Sequence, residues 1–210
     1  MKKIICMSLV FLLLAAMVCS CSNKELEILP GKRMEFAYNK SDYSMMSADW
    51  PYYNTPEKLA EASDYIYIGK VKNISFDIMD IKTGLSDCNP NSTSTSRMLD
   101  TIYTIEIVKV FKGKGEEKDI TFIDVNGGIP GYQETEQYQL LNNSQLSQKI
   151  SRIPVVEDHS PLVIDETYLF CVVDFGGQYP VVVNADQFAM STSCSFAKEV
   201  TRKAKIAPET

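Results

Sequence analysis

Residues 101–112 constrain this chain more than any other segment. Tyr103, Ile105 and Ile107 alternate with more polar neighbours, and then Val108 and Val110 carry the apolar residues on in the opposite phase. A period of two buries one face of a strand, and the change of phase predicts a bulge near Ile107 or Val108. The turn Gly113-Lys114-Gly115-Glu116-Glu117 then leads into a second β-rich run, residues 119–125, which makes the pair an antiparallel hairpin. A chain with such a hairpin at its centre must build a sheet, and its other segments must extend or cover it.

Other segments extend it. Residues 64–76 hold Tyr65, Ile66, Tyr67, Ile68, Val71 and Ile74, with Gly69 near the middle, where a glycine predicts a bend or bulge of the kind that closes a small barrel. Residues 168–175 are apolar on both faces up to Asp174, and Gly176-Gly177-Gln178 turns them back into residues 179–183 as a second hairpin. Thr55-Pro56-Glu57 supplies a capping hydroxyl, a proline for the first turn and an acid at the helix start, which predicts a helix of about two turns before the first strand. Residues 83–100 read as a polar loop. Residues 132–160 read as an insertion rich in Gln, Asn and Ser, where Leu146, Ile150 and Ile153 have helical spacing. The chain ends in a polar stretch, 194–210, in which residues 196–205 predict a short helix whose Lys198, Arg202, Lys203 and Lys205 face solvent. The fold class expected is mainly β, a small Greek-key barrel of the OB type over 55–193 with one or two short helices.

The amino terminus is an address. Lys2 and Lys3 precede an uncharged run from Ile4 to Val18, too short to span a bilayer comfortably and followed by no stop-transfer flank. Val18-Cys19-Ser20-Cys21 closes it. The segment resembles a bacterial lipoprotein signal, with an aliphatic residue at −3, a small residue at −1 and the acceptor cysteine at +1. The resemblance implies that residues 1–20 are removed and that Cys21 becomes the lipidated mature terminus. Two or more acyl chains anchor stably where one is marginal. The expected location is the extracytoplasmic face of a membrane in the cell envelope, and the expected partners are that membrane, through the anchor, and an unidentified protein or small ligand. Residues 21–54 then read as lipidated terminus and tether, with the aromatic group from Trp50 to Tyr53 packing on the barrel.

Three strand segments carry a second resemblance. Residues 62–71, Ala-Ser-Asp-Tyr-Ile-Tyr-Ile-Gly-Lys-Val, residues 103–113, which end Phe111-Lys112-Gly113, and Glu166-Thr167-Tyr168-Leu169-Phe170 are similar to the strand signatures of the netrin-like module. That family includes the tissue inhibitors of metalloproteinases, and many bacterial lipoproteins look like it. The likeness covers residues 62–185 and implies an OB-like barrel. It also implies an alternative function, metalloprotease inhibition through an amino-terminal Cys-x-Cys, which Cys19-Ser20-Cys21 matches superficially. A lipidated Cys21 would occupy that terminus, and Cys88, Cys171 and Cys194 do not match the supporting half-cystines.

Chemistry is sparse. His159 stands in Glu157-Asp158-His159-Ser160-Pro161, and a hydrolase using it is a further alternative, but contiguous residues in a polar loop do not supply the oriented triad such chemistry needs. Cys88, Cys171 and Cys194 are isolated, with no zinc-ligand spacing, and their pairing is open between a disulfide and free thiols. Asp77, Asp80 and Asp124 are too scattered for a calcium loop. No phosphate-binding glycine loop, cofactor or catalytic set is expected, and the reading is of a binding module, not an enzyme. The charge agrees with that restriction. The chain has 21 basic and 27 acidic residues, and without Lys2 and Lys3 the balance falls from −6 to −8, which disfavours nucleic acid as a partner.

Overall fold

A computed structural model describes residues 26, 28–47, 50–115, 119–148, 150–157, 160–184 and 187–205. The expected signal peptide 1–20, the acceptor Cys21 and His159 lie outside the described residues. In chain order the elements are β1 (Ser44–Met46), α1 (Pro56–Ala62), β2 (Tyr65–Asp80), β3 (Leu85–Ser86), β4 (Arg97–Lys112), β5 (Ile120–Asn126), α2 (Glu134–Asn143), β6 (Pro154–Val156), β7 (Thr167–Val173), β8 (Val181–Val182), β9 (Ala189–Ser191) and α3 (Ser195–Ala204).

The expected mainly β barrel is what forms. Strand β2 pairs antiparallel with β4, β4 with β5, β5 parallel with β8, β8 antiparallel with β7, and β7 antiparallel with β2 again, so five strands close a ring. The ring is steeply staggered. From Val173, which follows the partner of Tyr65, the pairing runs through Val181, Asp124 and Ile102 back to β2 at Ser75, ten residues beyond Tyr65 on the same strand. Such stagger demands strongly coiled strands, and the sequence provides for it. At Gly69 a Cβ would lie 2.3 Å from Cγ2 of Ile105, so only glycine lets β2 and β4 approach there. The register slips between Ile68 and Gly69, opposite Val108, as the phase change in 101–112 predicts. Inside the ring Tyr103, Ile105, Ile123, Val125, Tyr168, Phe170 and Phe188 are buried, and the rings of Tyr103, Phe170 and Phe188 lie about 6 Å apart in tilted contacts.

Several local expectations shift. Strands β2 and β4 run on to Asp80 and from Arg97, so the loop expected at 83–100 is in part strand. The insertion 132–160 does hold one short α-helix, but it is α2, upstream of the helical spacing of Leu146, Ile150 and Ile153. Leu146 opens a single 3-10 turn, while Ile153 is a buried residue just before β6. Residues Leu146 and Ile153 share a helical spacing because both reach one core, not because a helix joins them. Helix α3 is as expected, capped by Cys194, whose Sγ accepts a hydrogen bond from the Ala197 amide. It buries Phe196, Ala197, Val200 and Ala204, and packs on α1.

Much of the expected tether is strapped to the barrel. Pro30 forms an antiparallel bridge with Met190, Gly31 N donates to Ala189 O at 3.0 Å, and Ser191 N donates to Leu29 O at 3.0 Å. Arg33 bridges Leu162, and β1 adds to β6 as a parallel pair with Ser44 opposite Pro154. Tyr168 completes the hold, its hydroxyl donating to Lys32 O at 2.8 Å. No cysteine is needed for this pinning, because backbone pairing supplies it. The aromatic stretch 50–53 is also fixed as expected. Asn184 Nδ2 donates to Pro51 O, and the Gln187 amide both donates to Tyr53 O and accepts from Tyr53 N, although the Tyr52 side chain stays exposed.

Candidate functional site, a buried carboxyl cluster

The fold brings together two of the three carboxyls that their spacing left scattered, and adds one that spacing did not single out. Asp77 on β2 lies directly opposite Asp100 on β4, and Asp124 on β5 lies opposite Ile102, two residues along β4 from Asp100. Cross-strand partners share a face, so the three carboxyls form a row on the outer face of the sheet. Loops cover the row. Ser86 Oγ and Cys88 Sγ donate to Asp77 Oδ1 at 3.0 and 3.1 Å, Ser86 N donates to Gln178 Oε1, and Gln178 N donates to Gly84 O at 2.7 Å. The segment after β2 and the loop between β7 and β8 thus join across the sheet.

Under this cover Asp100 is fully buried and Asp124 is 6% exposed. Asp100 Oδ1 accepts the Gly127 amide at 3.0 Å, but Oδ2 of Asp100 and Oδ1 of Asp124 meet no donor among the described residues. Burial is the main force on both groups and pushes both upward, since a charge loses more solvation than a neutral acid. Asp124 then raises Asp100 further, while the hydrogen bond from Asp100 lowers Asp124, which stands at about 7. Opposite effects on the two partners are what one shared proton produces.

Asp80 has the reverse environment at the end of β2, the strand that carries Asp77. Its Oδ1 accepts the Ser96 hydroxyl at 2.7 Å and the Lys82 amide at 2.9 Å, and the hydroxyls of Ser94 and Ser96 lead the groups that pull it down to about 2. It anchors the loop and takes no part in the row. Of the three carboxyls read as scattered, Asp77 and Asp124 therefore come together, Asp80 does not, and Asp100 was missed. The described residues contain no group of three or more His, Cys, Asp or Glu placed to hold a metal ion.

Among the thiols, Cys88, Cys171 and Cys194 are all free. Cys171 is buried, and desolvation pushes its thiol up to about 12, which makes it inert as a nucleophile at neutral pH. Arg97 is a structural clasp. Its Nη1 donates to Asp87 O, Asn89 O and Ser144 O, so one guanidinium ties the covering loop to the end of α2. Among the described residues no helix is long and apolar enough to cross a membrane. No family model matches the chain, and no curated protein does.

Proposed function

We propose that the chain is a lipoprotein anchored through Cys21 on the extracytoplasmic face of a cell membrane, and that its barrel, of netrin-like kinship, is a binding module for a protein or small ligand and not an enzyme. The observation that carries this reading is the strap. Leu29 is already hydrogen-bonded to Ser191, and Cys21 stands only eight residues before it. Eight extended residues reach at most about 29 Å, so a lipid on Cys21 would hold one chosen end of the barrel near the bilayer and not let it drift on a long tether.

The opposite direction along β7 supports a binding role. This strand leaves the strap at Tyr168 and ends at Val173, and the loop beyond carries Phe175, 78% exposed. The partner loop, joined to it through Gly84 and Gln178, exposes Ile81 and Leu85. Apolar side chains held out on rigid loop tips, away from the anchored end, are suited to partner contact.

Fractionation of envelopes from cells that make the protein tests the reading. The Cys21→Ala variant is expected in the soluble fraction, and unchanged membrane retention would contradict the anchor. A photocrosslinker at position 175 of the anchored protein is expected to capture one dominant partner, whereas capture of lipid alone would contradict the binding surface.

A further inference from the structure

The ring is closed by long strand pairs except around β8, which meets β7 in two residue pairs and β5 in one. Strands β5 and β8 meet in a single pair, Asp124 opposite Val181, with Asp124 N donating to Pro180 O at 2.9 Å. The residue at this weakest closure is also the one whose carboxyl is buried beside Asp100. Among the described residues Asp100 Oδ2 and Asp124 Oδ1 meet no donor, and the two are satisfied together if a single O–H bridges the pair. The groups that act on the pair from the packed elements are Asp77 from β2, Tyr179 from the segment before β8 and the Gly127 amide from the turn after β5. Cys88 and Ser86 bond to Asp77 and not to the pair. Asp77 adds repulsion, so two ionised acids here would have no charge to offset them from these neighbours.

We propose that Asp100 and Asp124 form a proton-operated latch on the β5 to β8 seam, in which one shared proton holds the barrel shut and its loss to solvent water opens the seam and frees the two loops joined across it. The closed state needs one acid as donor and the other as acceptor. Deprotonation leaves two buried anions diagonal to each other on adjacent strands, and the cheapest relief is hydration. Water reaches the pair by parting β8 from β5, which costs a single strand pair, while the extended pairing of β2 with β4 stays intact.

Amide hydrogen exchange on the whole chain, corrected for the intrinsic pH dependence of exchange, reads the seam directly. Between pH 5.5 and 8.5 protection at Asp124, Val181 and Val182 is expected to fall at least tenfold, while amides of Ile74 to Ile78 on β2 keep theirs. The double variant Asp100→Asn with Asp124→Asn retains a donor and acceptor but cannot ionise, and its seam protection is expected to stay flat over the same range. If the double variant does not fold, carbon-13 titration of the side-chain carboxyls of the unmodified protein decides. One carboxyl of the pair must remain protonated at pH 6. Both acids ionised below pH 5, seam protection unchanged with pH, or an equal fall in the double variant would each overturn the latch.

Discussion

Aspartate occupies opposite environments in this protein, at Asp80 and at Asp124, and the two predict opposite responses to pH. Asp80 is held well down, to about 2, by the hydroxyls of Ser94 and Ser96 and the Lys82 amide. An acid depressed in the folded state stabilises above its unfolded pKa, about 3.9, and the contribution is lost as pH falls toward 2. Loop amides between Lys82 and Ser96 should therefore lose exchange protection between pH 4 and pH 2. Asp124 is raised, so its stabilisation is complete below about pH 3.9 and declines as pH rises toward about 7. The melting temperature of the whole chain should consequently decline from pH 5 to pH 8, and a rise over that range would contradict the buried-pair reading. The amide of Gln187, fully buried, makes a different residue-scale prediction. Gln187→Ala strands the Tyr53 amide and carbonyl, and urea unfolding should show a loss of about 1–3 kcal/mol. None of these roles was legible from spacing. In the alternation of 101–112 continued backwards, Asp100 falls in the same phase as Thr104 and Glu106, where a solvated acid belongs, and only the loops laid over that face bury it.

Elements were legible where a local signal sufficed. The hairpins, the capped helix α1 and the irregularity at Val108 follow from turn residues, a Thr-Pro start and a phase change. Each of these acts within a few residues. Helix α2 had no such signal. Its cap position, Gln133, is in the left-handed region and makes no side-chain capping bond, so only the acids Glu134 and Glu136 mark its start. What orders it instead is tertiary. Gln137, fully buried, accepts from Ile129 N and donates to Ile129 O and Tyr132 O. At the register slip between Ile68 and Gly69, Gly69→Val would drive side-chain atoms into Ile105, and overpacking of that kind costs about 1–3 kcal/mol. Unfolding in urea should show this loss with the slope unchanged, and an unaltered midpoint would contradict the close approach of β2 and β4.

For the whole molecule, the difference between the expected tether and the observed strap matters most. Pro30, Gly31 and Arg33 are unremarkable in a sequence, because a strap held by backbone bridges needs no apolar period and no cysteine. Its one stringent requirement is Gly31, whose Cβ would lie 2.2 Å from the Tyr168 ring. Gly31→Val should lift the strap, make residues 28–47 early sites of limited proteolysis and leave the β2 to β4 pairing resistant. Resistance of the strap in that variant would show that Gly31 is not needed to seat it. The strap also gives the proposed anchor its meaning, since it converts a lipid on Cys21 into an oriented barrel. Intact-mass analysis of the protein extracted from membranes tests that claim most directly. The proposed anchoring predicts a chain that begins at Cys21 and carries diacylglycerol on its thiol, and a membrane-derived chain with another first residue, or with an unmodified Cys21, would contradict it.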